Sequence, residues 1–394
     1  MKLLDKCRNF TEATIARQQG WYPYFKVVES EQGAEVIVEG RRMIMIGSNN
    51  YLGLTSHPKV KEAAINAIKK YGTGCTGSRY LNGTLALHEE AEARLAKFMQ
   101  REAALLFSTG YQTNLGTISA LVGKGDFVIT DRQDHASIID GCRLSFGKML
   151  KFRHNDVEDL ERILRHLGPE AGKMVVVDGV FSMEGSIANL PAIAALCQEY
   201  RAVLVVDDAH AIGVLGQHGR GTGEHFGLEH AVDIAMGTFS KSFASMGGFI
   251  ATDFEIIDYI KHHSRPLIFS ASMAPANVAA VIAALDIIEQ EPERREWLWR
   301  NANHLRNGLK ALGFNTGNSA TPIIPVILGD DMLTFRFWRE LFERGVFTNP
   351  AVRQAVAPGC ALLRTSVIAT HTPAHIDRVL EVFAEVGRKL GVIP

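Results

Sequence analysis

The chain has 394 residues, 46% of them hydrophobic, enough to bury a large core and to divide into one large and one smaller domain. Its 42 basic residues against 43 acidic ones leave a formal charge of -1, so no global field draws it to nucleic acid or to an anionic membrane. The opening Met1-Lys2-Leu3-Leu4-Asp5-Lys6 lacks a long apolar core, and no stretch approaches the roughly 18 uninterrupted apolar residues of a membrane span, so a soluble cytoplasmic protein is expected.

Residues 1–50 read as an N-terminal segment, 51–280 as the large domain and 281–394 as the small one. Within the large domain, Val60, Ala63, Ala64, Ala67, Ile68 and Tyr71 recur at helical spacing after Ser56-His57-Pro58, and a second helix is expected over Leu87–Met99. Short apolar runs follow at Ala104–Phe107, Phe127–Thr130, Met174–Asp178, Val203–Asp207, Ile234–Met236 and Phe249–Ala251. Helical stretches such as Asp156–Leu167 and Leu190–Tyr200 separate most of them. This alternation predicts an α/β fold with a mainly parallel central sheet, whose ligands bind beyond the carboxyl ends of the strands. A long helix over Pro275–Gln290 then leads through Pro292-Glu293 to a second helical segment ending near Gly313. The remainder reads as a smaller C-terminal α+β domain: a strand at Ile323–Leu328, a helix at Leu333–Arg344, a strand at Leu362–Val367 and a last helix from Pro373. In that last helix Ile376, Val379, Leu380, Phe383 and Val386 form one apolar stripe, which assigns it to the core.

The candidate chemistry falls at strand ends. Lys241 lies in Gly237-Thr238-Phe239-Ser240-Lys241-Ser242, 34 positions after the strand that ends in Val206-Asp207-Asp208-Ala209-His210. A lysine amine forms a Schiff base with an aldehyde cofactor, and a carboxylate at a buried strand end keeps a pyridine nitrogen protonated; the pairing points to pyridoxal 5'-phosphate (PLP). Asp207 and His210, three apart across a turn, can both reach one planar ligand, Asp207 its ring nitrogen and His210 its ring oxygen. Asp208 is read as capping the following turn. Ser108-Thr109-Gly110-Tyr111, a strand end and glycine before a helix start at Gln112, can gather backbone amides around a phosphate, with hydroxyls from Thr238 and Ser240. His135, in Asp134-His135-Ala136-Ser137, can stack on the ring and contact a substrate carboxylate. Arg364 is a lone charge in the strand Leu362-Leu363-Arg364-Thr365-Ser366, suited to a bidentate grip on a carboxylate, with a structural salt bridge as the other reading. Cys7, Cys75, Cys142, Cys197 and Cys360 are odd in number and widely spaced with no C-x-x-C; buried reduced thiols are expected, with neither a disulfide framework nor a metal site.

Together these residues resemble the α-oxoamine synthases, PLP enzymes of the type I aminotransferase fold that join an amino acid to an acyl thioester with loss of CO2. The matching segments are Ser48-Asn49-Asn50-Tyr51-Leu52-Gly53-Leu54, Asp134-His135-Ala136-Ser137, Asp178-Gly179-Val180-Phe181-Ser182-Met183-Glu184-Gly185, Val206-Asp207-Asp208-Ala209-His210, Thr238-Phe239-Ser240-Lys241 and Phe269-Ser270-Ala271-Ser272. The resemblance implies that Lys241 carries the cofactor, His135 stacks on its ring, Asp207 and His210 take the roles just given, and Ser182 touches the ring oxygen. It further implies phosphate contacts from Gly110, Tyr111 and Thr238, and one from Ser272 donated by a neighbouring subunit of a homodimer with shared active sites. Asn50 is implied near the substrate and Arg364 on its carboxylate. Gly72–Thr84, Gly237–Ser242 and Gly345–Pro350 look most like the bacterial serine palmitoyltransferase branch, which implies condensation of L-serine with palmitoyl-CoA to 3-oxosphinganine, the first step of sphingolipid synthesis. Val352–Pro358 departs from the proline-rich stretch of that branch. Glycine C-acetyltransferase and 8-amino-7-oxononanoate synthase chemistry stay open, as does the carrier, coenzyme A or acyl carrier protein. A long acyl substrate also implies weak peripheral contact with a membrane.

Overall fold

Seven strands make the central sheet, in the spatial order Ala103–Phe107, Gly248–Thr252, Ile234–Thr238, Val203–Asp207, Lys173–Asp178, Phe127–Asp131, Lys148–Phe152. Only Gly248–Thr252 runs against its neighbours; every other pairing within the sheet is parallel. The computed structural model describes residues 2–353 and 355–394; Met1 and Gln354, each inside a segment singled out above, lie outside the described residues.

Side chains alternate across a strand, so each apolar run feeds two layers. Val175, Val177, Leu204 and Val206 join the larger core cluster, while Met174, Val176 and Val205 join a second cluster on the opposite face with Ile118, Ile138 and Ile260 of the covering helices. The chain thus has the expected type I aminotransferase-like α/β fold. A second sheet, Ile323–Gly329, Ala361–Ser366 and Asn349–Ala351, is antiparallel and is packed by the helices Asp331–Glu343 and Glu293–Ala311, against which the last helix Pro373–Lys389 lies. Of the last helix, Ile376, Val379, Phe383 and Val386 are buried, and Leu380 packs beside them.

Four features depart from expectation. The edge strand Lys148–Phe152 escapes the apolar-run signal because Lys148 and Lys151 are exposed, as suits a sheet edge. The N-terminal strands Glu35–Val38 and Arg41–Met45 form a hairpin, and Arg41–Met45 also pairs with Val346–Phe347, tying the beginning of the chain to its C-terminal part. Among the cysteines only Cys142 and Cys197 are buried, and Cys7 and Cys360 are exposed. Asp208 does not cap its own turn: it reaches forward to accept the Thr222 N–H at 2.9 Å and the Thr222 hydroxyl, fastening the start of the helix Thr222–Phe226.

Candidate active site

Parallel strands deliver their carboxyl ends to one edge of a sheet. Here that edge gathers Thr109–Tyr111, His135, Asp178, Ser182, Asp207, His210, Thr238 and Lys241 around a single cavity of 260 Å³. A wider cavity of 510 Å³ continues from it, sharing His135, Ser182, His210 and Lys241 and reaching Asn49 and Arg364.

The Lys241 amine has no hydrogen-bond or ion-pair partner among the described residues, in contrast to its neighbours at this edge. Loss of solvent pushes it down to about 8, against the pull of Asp207 and Asp178 and with a further push from Arg364. An amine so placed is free to attack a carbonyl near neutral pH.

Asp207 is 3% exposed, its Oδ2 accepting from Asn114 Nδ2 at 2.6 Å and its Oδ1 from the Ala209 N–H at 2.9 Å. Asn114 also donates to Ser137 Oγ at 2.8 Å, and Ser137 Oγ lies 2.8 Å from His135 Nδ1. One buried amide thereby orients both the carboxylate and, through Ser137, the imidazole that flanks the cavity. Desolvation holds His135 below the ordinary histidine value, opposed by Asp207 and aided by Lys241.

His210 is buried, and desolvation, followed by Lys241, Arg364 and His135, drives it well below its usual value. It is therefore a neutral imidazole. Its Nδ1 lies 2.7 Å from the hydroxyl of the fully buried Tyr51, whose other acceptor, Asn49 Oδ1, is at 3.5 Å. With Tyr51 donating to Nδ1, as the ring-oxygen role of His210 requires, Nε2–H is left as a donor.

At the other end, Thr109 caps the helix Gly110–Leu121 by accepting the Gln112 N–H at 3.1 Å, leaving the Gly110 and Tyr111 amides at the cavity. A Cβ on Gly110 would sit 2.5 Å from Thr238 Oγ1, so glycine is what lets the helix start approach that hydroxyl. Helix start, Thr238 and Ser240 form a cradle for a phosphate.

Arg364 is 5% exposed and has no carboxylate partner among the described residues, which removes the salt-bridge reading. Its Nε donates to the Ser182 carbonyl at 2.6 Å and its Nη2 to Asn49 Oδ1 at 2.9 Å. A buried guanidinium held by neutral acceptors is short of an anion.

One of the expected residues stands elsewhere. Asn50 is turned inward, its amide donating to the Gln32 carbonyl at 3.0 Å and Thr55 Oγ1 at 2.8 Å; its neighbour Asn49 faces the cavity instead. Ser272 lies outside the cavity lining, its N–H and hydroxyl both directed at the Gly77 carbonyl at 3.0 and 3.1 Å. Asn114, Tyr51 and Asn49 were not among the candidates. Tyr51 and Asn49 lie within the Ser48–Leu54 segment, but Asn114 is one buried polar residue on a helix, with no local pattern to distinguish it.

An amine, a ring-nitrogen acceptor, a ring-oxygen donor, a flanking imidazole and a phosphate cradle bordering one 260 Å³ cavity fit PLP. The sequence pattern described as aminotransferase class I and II matches residues 41–383. Serine palmitoyltransferase of Sphingobacterium spiritivorum is 49% identical over 98% of this chain and 97% of its own. The 8-amino-7-oxononanoate synthase of Thermoanaerobacter pseudethanolicus is 45% identical over 96% of each chain. A serine palmitoyltransferase variant from S. paucimobilis, solved with bound PLP and myriocin, superposes with a TM-score of 0.95 at 40% identity over 100% of both chains. The chain belongs to the aminotransferase class I and II family and, within it, to the α-oxoamine synthases.

Proposed function

We propose that this protein is a PLP-dependent acyltransferase that condenses L-serine with palmitoyl-CoA, releasing CO2 and free coenzyme A and forming 3-oxosphinganine. The observation that carries the reading is the buried Arg364 on the same continuous cavity as Lys241, the one without a carboxylate partner and the other without any partner among the described residues. When bound, PLP supplies an aldehyde that captures the amino acid's amine and a ring that withdraws electrons from its Cα.

The protein's own groups do the rest. Arg364 and His135 would grip the amino-acid carboxylate and orient its Cα–H bond toward Lys241. Lys241 Nζ, as a free amine, would remove that proton and later return one. Asp207 would hold the ring-nitrogen proton, His210 Nε2 and Ser182 the ring oxygen, and Gly110, Tyr111 and Thr238 the phosphate. Fixing both reactants in one site supplies much of the acceleration. Residues 51–280 contribute the lysine side of this site and 281–394 contribute Arg364, with 1–50 as an N-terminal segment. The working form is a cytoplasmic homodimer with shared active sites, in which Ser272 serves the neighbouring subunit's phosphate, with weak peripheral membrane contact to reach its acyl substrate. Among the described residues no helix is long and apolar enough to cross a membrane.

Release of CO2 from serine, glycine and alanine, each offered with short and long acyl thioesters, tests the assignment. Serine with palmitoyl-CoA is expected to lead. Turnover of alanine with a pimeloyl thioester would instead favour the 8-amino-7-oxononanoate synthase reading that the relatives at 43 to 45% identity also support. Turnover of glycine with acetyl-CoA alone would overturn both.

A further inference from the structure

Asp207 is not the only acid in the cofactor cavity. Asp178, at the end of the adjacent parallel strand, is its register partner, lines the same cavity and is 5% exposed. Its Oδ2 accepts the backbone N–H of His135 at 3.0 Å. Its own N–H donates to Asp134 Oδ1 at 2.9 Å, and Asp134 Oδ2 accepts the Asp131 N–H at 2.7 Å. These bonds stitch the Asp178 strand end to the turn that presents His135, so the height of the imidazole over the cavity depends on Asp178.

The charges around Asp178 are unbalanced. Asp207 faces it from one neighbouring strand and Asp131 from the end of the other; burial and Asp178 push Asp134 itself well above the carboxylate range, His135 is held neutral, and Lys241 is the opposing amine. Burial first, and Asp207 next, push Asp178 well above the carboxylate range, with Lys241 opposing. Two ionised carboxyls at adjacent buried strand ends, facing one amine, repel each other; a proton on one relieves this, and Asp207 is the one that accepts two donors, Asn114 and Ala209.

We propose that Asp178 is a positioning residue of the cofactor site that works as a neutral carboxylic acid: Oδ2 fixes the His135 main chain, and the proton it carries leaves Asp207 as the charged carboxylate available to the ring nitrogen. The proposal rests on the reading of Asp207 given above. It implies that asparagine, which matches the acid in shape and neutrality and still offers a carbonyl oxygen to His135, replaces Asp178, whereas alanine does not.

The test needs two readouts. In the infrared difference spectrum of the cofactor-free protein at neutral pH, Asp178→Asn is expected to remove a protonated-carboxyl carbonyl band; loss of carboxylate bands instead overturns the proposal. In the holoenzyme, Asp178→Asn is expected to keep kcat within about threefold of the parent and an unchanged acid limb of the pH profile, while Asp178→Ala falls about tenfold or more, the loss expected when a buried N–H is left without an acceptor. An asparagine variant as impaired as the alanine variant overturns it, and if Asp178→Ala does not fold, the asparagine variant decides alone. Asp207→Asn separates the two readings: if it retains full activity, the assignment of Asp207 fails, whereas the carboxyl band that Asp178→Asn removes is read in the protein with Asp207 intact and stands or falls separately.

Discussion

At the scale of single residues, the site runs on one displaced amine and one fixed tautomer. The Lys241 ammonium falls from 10.5 to about 8. Capture of added PLP by the cofactor-free protein should therefore accelerate with pH to a midpoint near 8, read by stopped-flow absorbance; a midpoint near 10.5 would mean an ordinary solvated lysine. The stability sign follows from proton counts. Between about 8 and 10.5 the folded protein binds fewer protons at Lys241 than the unfolded chain, so its stability rises with pH across that window, and this rise should be absent from Lys241→Met in thermal melts. Lys241→Met should also lose all reducible cofactor adduct while keeping its fold. Tyr51→Phe removes the hydroxyl 2.7 Å from His210 Nδ1 and frees the imidazole tautomer. One buried hydrogen bond is worth about 1 kcal/mol, so kcat should fall roughly fivefold, with little change in cofactor content.

At the scale of elements, the phosphate end is a contact between a helix start and a strand end. The Cβ of Gly110→Ala would lie 2.5 Å from Thr238 Oγ1 and must push the helix Gly110–Leu121 off the strand Ile234–Thr238. Retention of PLP on dialysis should drop about tenfold or more, whereas serine binding measured at saturating PLP should change little. The strands that build this end were legible in the sequence because each is buried on both faces and reads as a continuous apolar run, as Met174–Asp178 and Val203–Asp207 do. The strand Lys148–Phe152 was not, since an edge strand carries solvated lysines, and the hairpin over residues 35–45 was not, since only one of its faces is buried. The site followed the same division. Lys241, Asp207, His210 and His135 stand at ends of legible strands or just beyond them. Asn114 and Asp178 act through partners distant in sequence, Asn114 reaching 93 positions to Asp207 and Asp178 reaching 43 back to His135. Only folding reveals those pairs.

At the scale of the whole molecule, three large apolar side chains stand exposed on the segments that flank the phosphate cradle. Leu81 is 78% exposed, Tyr80 52% and Phe269 73%, high for large apolar side chains. They belong to one assembly: Ser272 is bonded to the Gly77 carbonyl, and Cys75 Sγ and His88 Nε2 both reach the Met273 carbonyl, at 3.4 and 3.0 Å. The same segment is anchored beside the phosphate cradle, Ser108 Oγ donating to the Ala271 carbonyl and Gln112 Nε2 to Ser270 Oγ at 3.0 Å. A partner covering Leu81 and Phe269 would bury apolar area and close over the helix start that holds the phosphate, so association and cofactor retention should be linked. Leu81→Asp puts a charge where the most exposed of these three side chains stands. On the homodimer proposed above, sedimentation should then shift from dimer to monomer, and PLP retention and condensation activity should fall with it in parallel across a protein dilution series. A monomeric Leu81→Asp protein that kept its cofactor and full turnover would show that each chain is catalytically complete, and Ser272 would then have no role beyond its bonds to Gly77.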